Sequence, residues 1–205
     1  MDANPLETFV DAAGSFAALV RRIPGNRWDG PGLGEWDLRA LVGHTSRSLV
    51  TVTTYLRTSA EAEDLRSPQE YYAMVKEYTA GTAAASIVRR GRDAGTELGE
   101  APADTVDALA AAATTAVRGA EDRLIEVFGG HGMRLHTYLP TRTFELAVHS
   151  LDIAAATGLP CTLPENVLTE ATELAARIAV RVGDGQPVLA ALTGRTALPR
   201  GFSVV

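Results

Sequence analysis

The sequence predicts an all-α protein, an up-down four-helix bundle with one additional C-terminal helix. Apolar residues recur at helical spacing through most of the chain, and cap and breaker residues separate these periodic segments. Alternating stretches typical of strands are scarce. The chain has 205 residues, which is long enough for one well-cored domain and short for two. We therefore expect a bundle over residues 1–160 and a helical extension over residues 161–205, packed on the same domain.

The first half of the chain contains three helical segments. The first covers residues 5–23 and ends in a loop rich in glycine and proline. Asp37 is a suitable N-cap for a second helix that extends to Arg57. The third begins at the sequence SPQE, residues 67–70, which combines a Ser cap, a Pro in the first position and a Glu three residues after the cap. We expect this helix to reach Arg92.

The second half contains three more helical segments. We expect the fourth helix over residues 102–128, followed by an interruption with a short extended piece over residues 129–140. The fifth helix covers residues 141–157, and the last covers residues 165–183. The sequence GDGQP near the C-terminus is interpreted as a turn. The tail that follows it contains several proline and glycine residues.

The composition and net charge of the chain exclude several classes of protein. Hydrophobic residues make up 46% of the chain and charged residues 21%, which is an ordinary globular balance. The net charge of −6 argues against nucleic-acid binding, and no apolar run is long enough to cross a bilayer. The N-terminus has no secretory signal pattern, and the single cysteine, Cys161, excludes an internal disulfide. We interpret Cys161 as a small apolar filler and expect the protein in the cytoplasm.

The fifth helix carries an unusual polar stripe. At about 100° per residue, Glu145, His149 and Asp152 lie between a bulky stripe that begins at Phe144 and a second one at Leu146. A solvated face would normally lie opposite the large apolar residues. We therefore expect the polar stripe to point into the bundle, where an isolated carboxylate needs a positive partner or a metal ion.

These residue types at this spacing suit a metal site. Glu145 and His149 are four residues apart, so they lie one turn apart on the same helix face. A catalytic zinc site normally has three protein ligands and an open position. His44 is the best candidate for the third ligand, because it lies beside the apolar stripe of the second helix. Asp152 is a candidate acceptor for the ring N–H of a ligating histidine.

Other interpretations remain open. Glu145 and His149 could simply form an ion pair, or interact with Arg142 or water, in a plain helical dimer. His131 and His136 are alternative ligands, although their Gly-rich surroundings favour a loop.

Further conspicuous side chains are interpreted as structural. Two tryptophans flank the Gly/Pro-rich loop and are expected to hold it against the bundle: Trp28 and Trp36. Three tyrosines of the third helix are expected to pack or to line a groove: Tyr71, Tyr72 and Tyr78. Three arginines are interpreted as a solvated helix end, with anion binding as the alternative: Arg89, Arg90 and Arg92.

Two segments carry a family resemblance. The sequence WDLRALVGHTSRSL at residues 36–49 and the sequence TRTFELAVHSLDIAAATG at residues 141–158 resemble the mycothiol-dependent maleylpyruvate isomerase family, as does the tail from residue 188. The N-terminal domain of that family is a DinB-like four-helix bundle. The resemblance implies a divalent metal, typically zinc or else another ion such as Ni²⁺, held by His44, Glu145 and His149. It also implies mycothiol as the thiol cosubstrate.

The resemblance further implies thiol chemistry, in which a metal-activated thiolate adds to a double bond or displaces a leaving group. Full-length family members carry a second, sterol-carrier-like domain, whereas only residues 159–205 follow the second matching segment. A thiol-dependent isomerase or S-transferase is therefore a better prediction than a named maleylpyruvate isomerase. The expected partners are a small thiol and an electrophile, with neither nucleic acid nor membrane, and both a monomer and a homodimer are open. The alternative is a non-catalytic bundle that binds a metal or ligand and acts through a partner.

Overall fold

The computed structural model describes residues 4–79 and 84–205. Within these residues the chain forms eight α-helices and one antiparallel pair of strands, which lies between the fifth and sixth helices. The helices are α1 (Pro5–Val20), α2 (Leu38–Tyr55), α3 (Pro68–Thr79), α4 (Ala84–Glu97), α5 (Pro102–Arg118), α6 (Leu135–Thr157), α7 (Glu165–Arg181) and α8 (Gly185–Leu192). The strands are β1 (Leu124–Val127) and β2 (His131–Arg134). The predicted all-α fold class is confirmed.

Helices α2 and α6 form the centre of the bundle. Helix α2 packs against α4, α5 and α6, and α6 also packs against α1 and α7. The largest side chains between these helices are fully buried, and they include Phe9, Phe16, Leu41, Leu49 and Leu146. Removal of this apolar surface from water is the main stabilising contribution, at roughly 25 cal/mol per Å². No helix among the described residues is long and apolar enough to cross a membrane.

Two helix starts follow the predicted capping chemistry. The Asp37 carboxylate accepts a hydrogen bond of 2.7 Å from the backbone N–H of Ala40, at the first turn of α2. At the start of α3, the backbone N–H of Glu70 donates to the Ser67 hydroxyl at 3.4 Å. The Glu70 carboxylate in turn accepts a 2.7 Å bond from the backbone N–H of Arg66. These bonds satisfy N–H groups that the helices leave without a partner.

The predicted third helix has a different extent in the structure. Its range contains α3, which contacts α6 and α7, and α4, which contacts α2. The predicted end at Arg92 is wrong, because α4 continues to Glu97 and stops before Gly99, whose φ is +68°. Residues 80–83, where the prediction placed continuous helix, lie outside the described residues.

The predicted fourth helix is too long. Helix α5 ends at Arg118, and residues 124–127 form β1, which pairs with β2 so that Leu124 lies opposite Arg134. Ile125 is buried and Glu126 exposed, the alternation of a strand with one face on the core. The predicted fifth helix starts too late, because α6 begins at Leu135.

The C-terminal segment contains one element that the sequence did not indicate. Helix α7 agrees with the predicted last helix, but the sequence interpreted as a turn instead begins α8. Helix α7 packs against α1, α3 and α6, and α8 packs against α7. The proposed division into a bundle over residues 1–160 and an extension over residues 161–205 stays a prediction.

Candidate metal centre

The polar stripe of α6 lies at the edge of the bundle core. The side chains of His149, Glu145 and Asp152 expose only 14%, 23% and 29% of their surface. The neighbouring Phe144 is buried. Leu151 is exposed, although it lies seven residues later and therefore on the same predicted apolar stripe at about 100° per residue. This part of the prediction is wrong because the last two turns of α6 bury only one narrow side.

Helix α2 brings His44 next to the α6 pair. The candidate ligand atoms of His44, Glu145 and His149 all lie within 4.8 Å of one another. The rings of His44 and His149 meet edge to face, with centroids 5.1 Å apart, and His149 Nε2 lies 3.4 Å from Glu145 Oε2. The structure therefore brings together the three residues that the sequence singled out; their role as metal ligands stays a prediction.

Two further side chains orient this trio. Nδ1 of His149 lies 2.9 Å from Oδ2 of Asp152, so Nδ1–H donates and Nε2 faces Glu145. The Tyr72 hydroxyl donates to Glu145 Oε1 at 2.7 Å and also lies 3.0 Å from the carbonyl oxygen of Thr141. No sequence pattern indicated this role of Tyr72, because the contact depends on where α3 crosses α6. Outer partners of this kind fix ligand orientation in metal sites.

His44 is held from the other side by Trp36. The two rings lie 4.4 Å apart, and the indole Nε1–H of Trp36 donates to the carbonyl oxygen of Val88 at 3.0 Å. A Cβ atom at Gly91 would lie 2.5 Å from the Trp36 ring. The indole therefore fits against α4 because position 91 is glycine, which fixes one wall around His44.

Burial and neighbouring charges set the protonation of the trio. Burial lowers the pKa of His44 to about 4, and the charge of His149 adds to this effect. Burial would lower the pKa of His149, but hydrogen bonds to Asp152 and Glu145 outweigh it and raise the pKa to about 9. Burial would raise the pKa of Glu145, yet the hydrogen bond from His149 and the charge of Arg142 lower it to about 2.

The donor set fits a divalent ion. Two imidazole nitrogens and one carboxylate oxygen are a ligand combination of catalytic zinc sites, which keep a further position open for water or substrate. Imidazole also suits nickel and copper, so the set favours transition metals over Mg²⁺ or Ca²⁺. His44 is already neutral at pH 7, and His149 would release its proton when a metal binds.

The alternative histidine ligands lie elsewhere. His131 is on β2. His136 is the second residue of α6, and its backbone N–H donates to the Asp122 carboxylate at 3.0 Å. Among the described residues, the group able to hold a metal contains neither of them. Arg142, the other alternative partner of the pair, forms no ion pair with Glu145 within 4.0 Å among these residues.

A cavity opens beside the trio. Its volume is about 330 Å³, within the range of small-molecule sites. His44 and Glu145 line one side, and aromatic and basic side chains line the rest, including Tyr55, Tyr71 and Phe128. A small ligand in this cavity would therefore be in contact with the candidate metal centre.

Fold and site together define a class of protein, a helical bundle with a His-Glu-His group at the edge of its core and a cavity beside it. The chain belongs to the family described as the mycothiol maleylpyruvate isomerase N-terminal domain, whose model matches residues 9–154. The match extends from α1 into α6 and includes all three residues of the trio. The resemblance and the DinB-like bundle that it implied are thereby confirmed. Comparisons with curated proteins and with solved structures found no match.

Proposed function

We propose that this protein is a divalent-metal-dependent enzyme that uses a low-molecular-weight thiol, such as mycothiol, as an isomerase or S-transferase acting on a small electrophile. Zinc is the first candidate for the metal and Ni²⁺ the second. The observation that carries the proposal is the convergence of His44, Glu145 and His149 within 4.8 Å, in a chain of this family. The adjoining cavity supports a small substrate.

The chemistry requires an external nucleophile. The lone cysteine, Cys161, follows α6 outside the cavity lining, and burial raises the pKa of its thiol, which disfavours the reactive thiolate. A divalent ion held by the trio would supply what the chain lacks, namely stabilisation of an incoming thiol as its thiolate. The thiolate sulfur would then add reversibly to an activated double bond, so that the carbon–carbon bond can rotate, or displace a leaving group.

The chain contributes orientation and charge to this reaction. Tyr72 holds Glu145 and Asp152 holds His149, so two of the three candidate ligands are positioned before any metal binds. Burial keeps His44 neutral, which leaves a ring nitrogen able to donate its lone pair. The apolar and aromatic part of the cavity lining would limit water around the reacting carbon.

Elemental analysis of purified, metal-reconstituted protein tests the first half of the proposal. We expect about one divalent ion per chain, and its loss in His44→Ala and Glu145→Ala variants. The matched controls His131→Ala and His136→Ala should keep the ion. Wild-type protein that takes up no transition metal would overturn the proposal.

A thiol-consumption assay with mycothiol and model electrophiles tests the second half. Turnover by the metal-loaded wild type and its absence in Glu145→Ala are the expected results. Metal retention without turnover would instead support the alternative, a non-catalytic metal-binding bundle.

We also propose the cytoplasm as the compartment and small molecules as the partners, with neither nucleic acid nor membrane. The net charge of −6 and the single cysteine support this proposal.

A further inference from the structure

The segment that follows α8 forms part of the cavity beside the trio. Val205 contributes to the cavity lining, together with Phe128, which lies directly after β1. Arg90 of α4 also lines the cavity, so its interpretation as part of a solvated helix end is wrong. Val205 is 54% exposed, whereas Tyr72 in the same lining is buried. Val205 therefore lies at the mouth of the cavity, where the lining meets solvent.

Residues 199–205, which we call the strap, carry this side chain to the cavity. The strap begins with a turn, in which the backbone N–H of Phe202 donates to the carbonyl oxygen of Pro199 at 3.1 Å. Gly201 has a φ of +76°, as the third residue of a type II turn requires. The Ser203 hydroxyl then donates to the backbone carbonyl oxygen two residues later, at 2.6 Å. These local bonds give the strap a defined shape of its own.

Few contacts hold the strap against the bundle. Within the part of the chain that the structure describes, the hydrogen bonds of the strap all stay inside the strap. Among these residues, Val204 is the one strap side chain that packs against the core, and it is only partly buried. Segments with few buried contacts open at low free-energy cost. We therefore expect the strap to detach while the helices stay folded.

The cavity is small while the strap is docked. Its volume of about 330 Å³ lies at the lower end of the range of about 300–1,000 Å³ that is typical of sites for one small molecule. The proposed reaction requires a thiol cosubstrate and an electrophile beside the trio at the same time. Two molecules need more space than the lower limit for one. The docked strap is therefore an obstacle to the assembly of both reactants.

We propose that the strap is an autoinhibitory gate, which blocks the cavity mouth with Val205 while docked and admits the thiol cosubstrate only after Val204 has left the core. The moving segment lies after α8, so the helices that carry the trio keep their positions when the gate opens. The inference concerns regulation of the candidate metal centre, and it rests on the proposed function for the identity of the incoming molecule. It also gives a role to a tail that thiol chemistry at the trio leaves unexplained.

Access to the cavity can be measured in metal-free protein without turnover. Ser48→Cys places a thiol in the cavity lining, in the full chain with Cys161→Ser so that no other thiol is present. Thr51→Cys, at a less buried lining position, replaces it if Ser48→Cys fails to fold. The probe is dithiodipyridine, a neutral aromatic disulfide. The thiolate attacks one sulfur of the probe, a new sulfur–sulfur bond forms, and thiopyridone leaves with the electron pair and is detected by its absorbance.

Val204→Ser should accelerate this labelling about 3- to 10-fold, because it removes the partly buried valine that holds the strap docked. Leu192→Ser, at an exposed apolar position of α8 outside the described cavity lining, is the matched control and should leave the rate unchanged. A thiol introduced by Thr53→Cys, on α2 but outside the same lining, should react equally fast with either form of the strap. Equal rates for Ser48→Cys with and without Val204→Ser, or an equal acceleration at Thr53→Cys, would overturn the gate.

Turnover of mycothiol and iodoacetamide gives a second test. In the metal-loaded full chain with Cys161→Ser, the further change Val204→Ser should lower the KM for mycothiol about 3- to 10-fold, because apparent affinity rises with the fraction of protein in the open form. The kcat should stay within about twofold, since the strap is already displaced when the thiol is bound. A raised KM would mean that the strap belongs to the thiol site and would overturn the gate. If protein without the Val204 change shows no turnover, the proposed function fails, and the labelling rates alone decide the gate.

Discussion

The hydroxyl group of Tyr72 helps to fix the orientation of the Glu145 carboxylate. Tyr72→Phe removes the 2.7 Å bond to the carboxylate and keeps the ring, which packs against Tyr71 and Phe144. We expect the fold to persist and the affinity for zinc to fall about 10- to 100-fold, the usual cost of losing an outer-shell partner. Competition against a chelator of known affinity measures this change. Tyr78→Phe is the matched control, since Tyr78 is exposed, and unchanged affinity in Tyr72→Phe would contradict the prediction.

Glu170 on α7 makes stability depend on pH away from the metal centre. Burial raises the pKa of this carboxyl to about 7, the Thr143 hydroxyl partly opposes the shift, and the charge of Glu173 adds to it. The folded pKa thus lies above the unfolded one, so the protonated form stabilises the fold at low pH and this contribution is lost as the pH rises through 7.

Glu170→Gln should therefore raise the free energy of unfolding at pH 8, by on the order of 1 kcal/mol because the group is partly solvated. At pH 4, where the wild-type carboxyl is also neutral, the two proteins should be similar. Urea denaturation at the two pH values measures the difference. Glu77→Gln, at an exposed position of α3, serves as the control. A difference that does not depend on pH would rule out the titration of Glu170 as its cause.

Two glycines set the distance between helices α2 and α4. A Cβ atom at Gly43 would lie 2.2 Å from the backbone nitrogen of Gly95, and a Cβ at Gly95 would lie 2.9 Å from the backbone of Ala40. The two backbones therefore pack in direct contact, and His44 occupies the position next to this crossing. A side chain at position 43 can be accommodated only if one helix moves.

Gly43→Ala should for this reason destabilise the protein by about 1–3 kcal/mol, even though alanine favours a helix by about 1 kcal/mol over glycine. It should also weaken zinc binding, because displacement of α2 moves His44 away from α6. Gly14→Ala in α1 is the matched control: no atom lies within 4 Å of its Cβ position, so it should stabilise by about 0.5–1 kcal/mol. Thermal unfolding of both variants tests the contrast, and equal behaviour would argue against the close crossing.

The helices and strands differ in how well the sequence could predict them. Helices α1, α2 and α7 carry clear periodicity and end signals, and the local spacing of Glu145 and His149 was enough to predict the α6 half of the candidate site. Strand β1 was missed because its alternation covers only four residues after a helix rich in alanine. The contact of Tyr72 with Glu145 depends on the crossing of α3 and α6, and no local pattern encodes where two helices cross.

At the scale of the whole molecule, the candidate centre joins elements far apart in the chain. His44 comes from α2, Glu145 and His149 come from α6, and Tyr72 reaches the same carboxylate from α3. The sequence predicted that α2 and α6 would meet, because His44 lies at the edge of a buried stripe. An ion bound by both helices would link them directly and would bind the folded state more tightly than the unfolded one.

Metal loading should consequently raise the thermal stability of the entire bundle. Zinc at about 100 times its Kd stabilises the folded state by about 2.7 kcal/mol, or roughly 5–10 °C in Tm for a chain of this size. His44→Ala removes one ligand from α2 and should abolish the shift while leaving the Tm of metal-free protein within a few degrees of wild type. Mg²⁺ should produce little shift, because it prefers oxygen ligands. Calorimetry with and without chelator measures these values, and a zinc shift as large in His44→Ala as in the wild type would mean that the ion binds elsewhere.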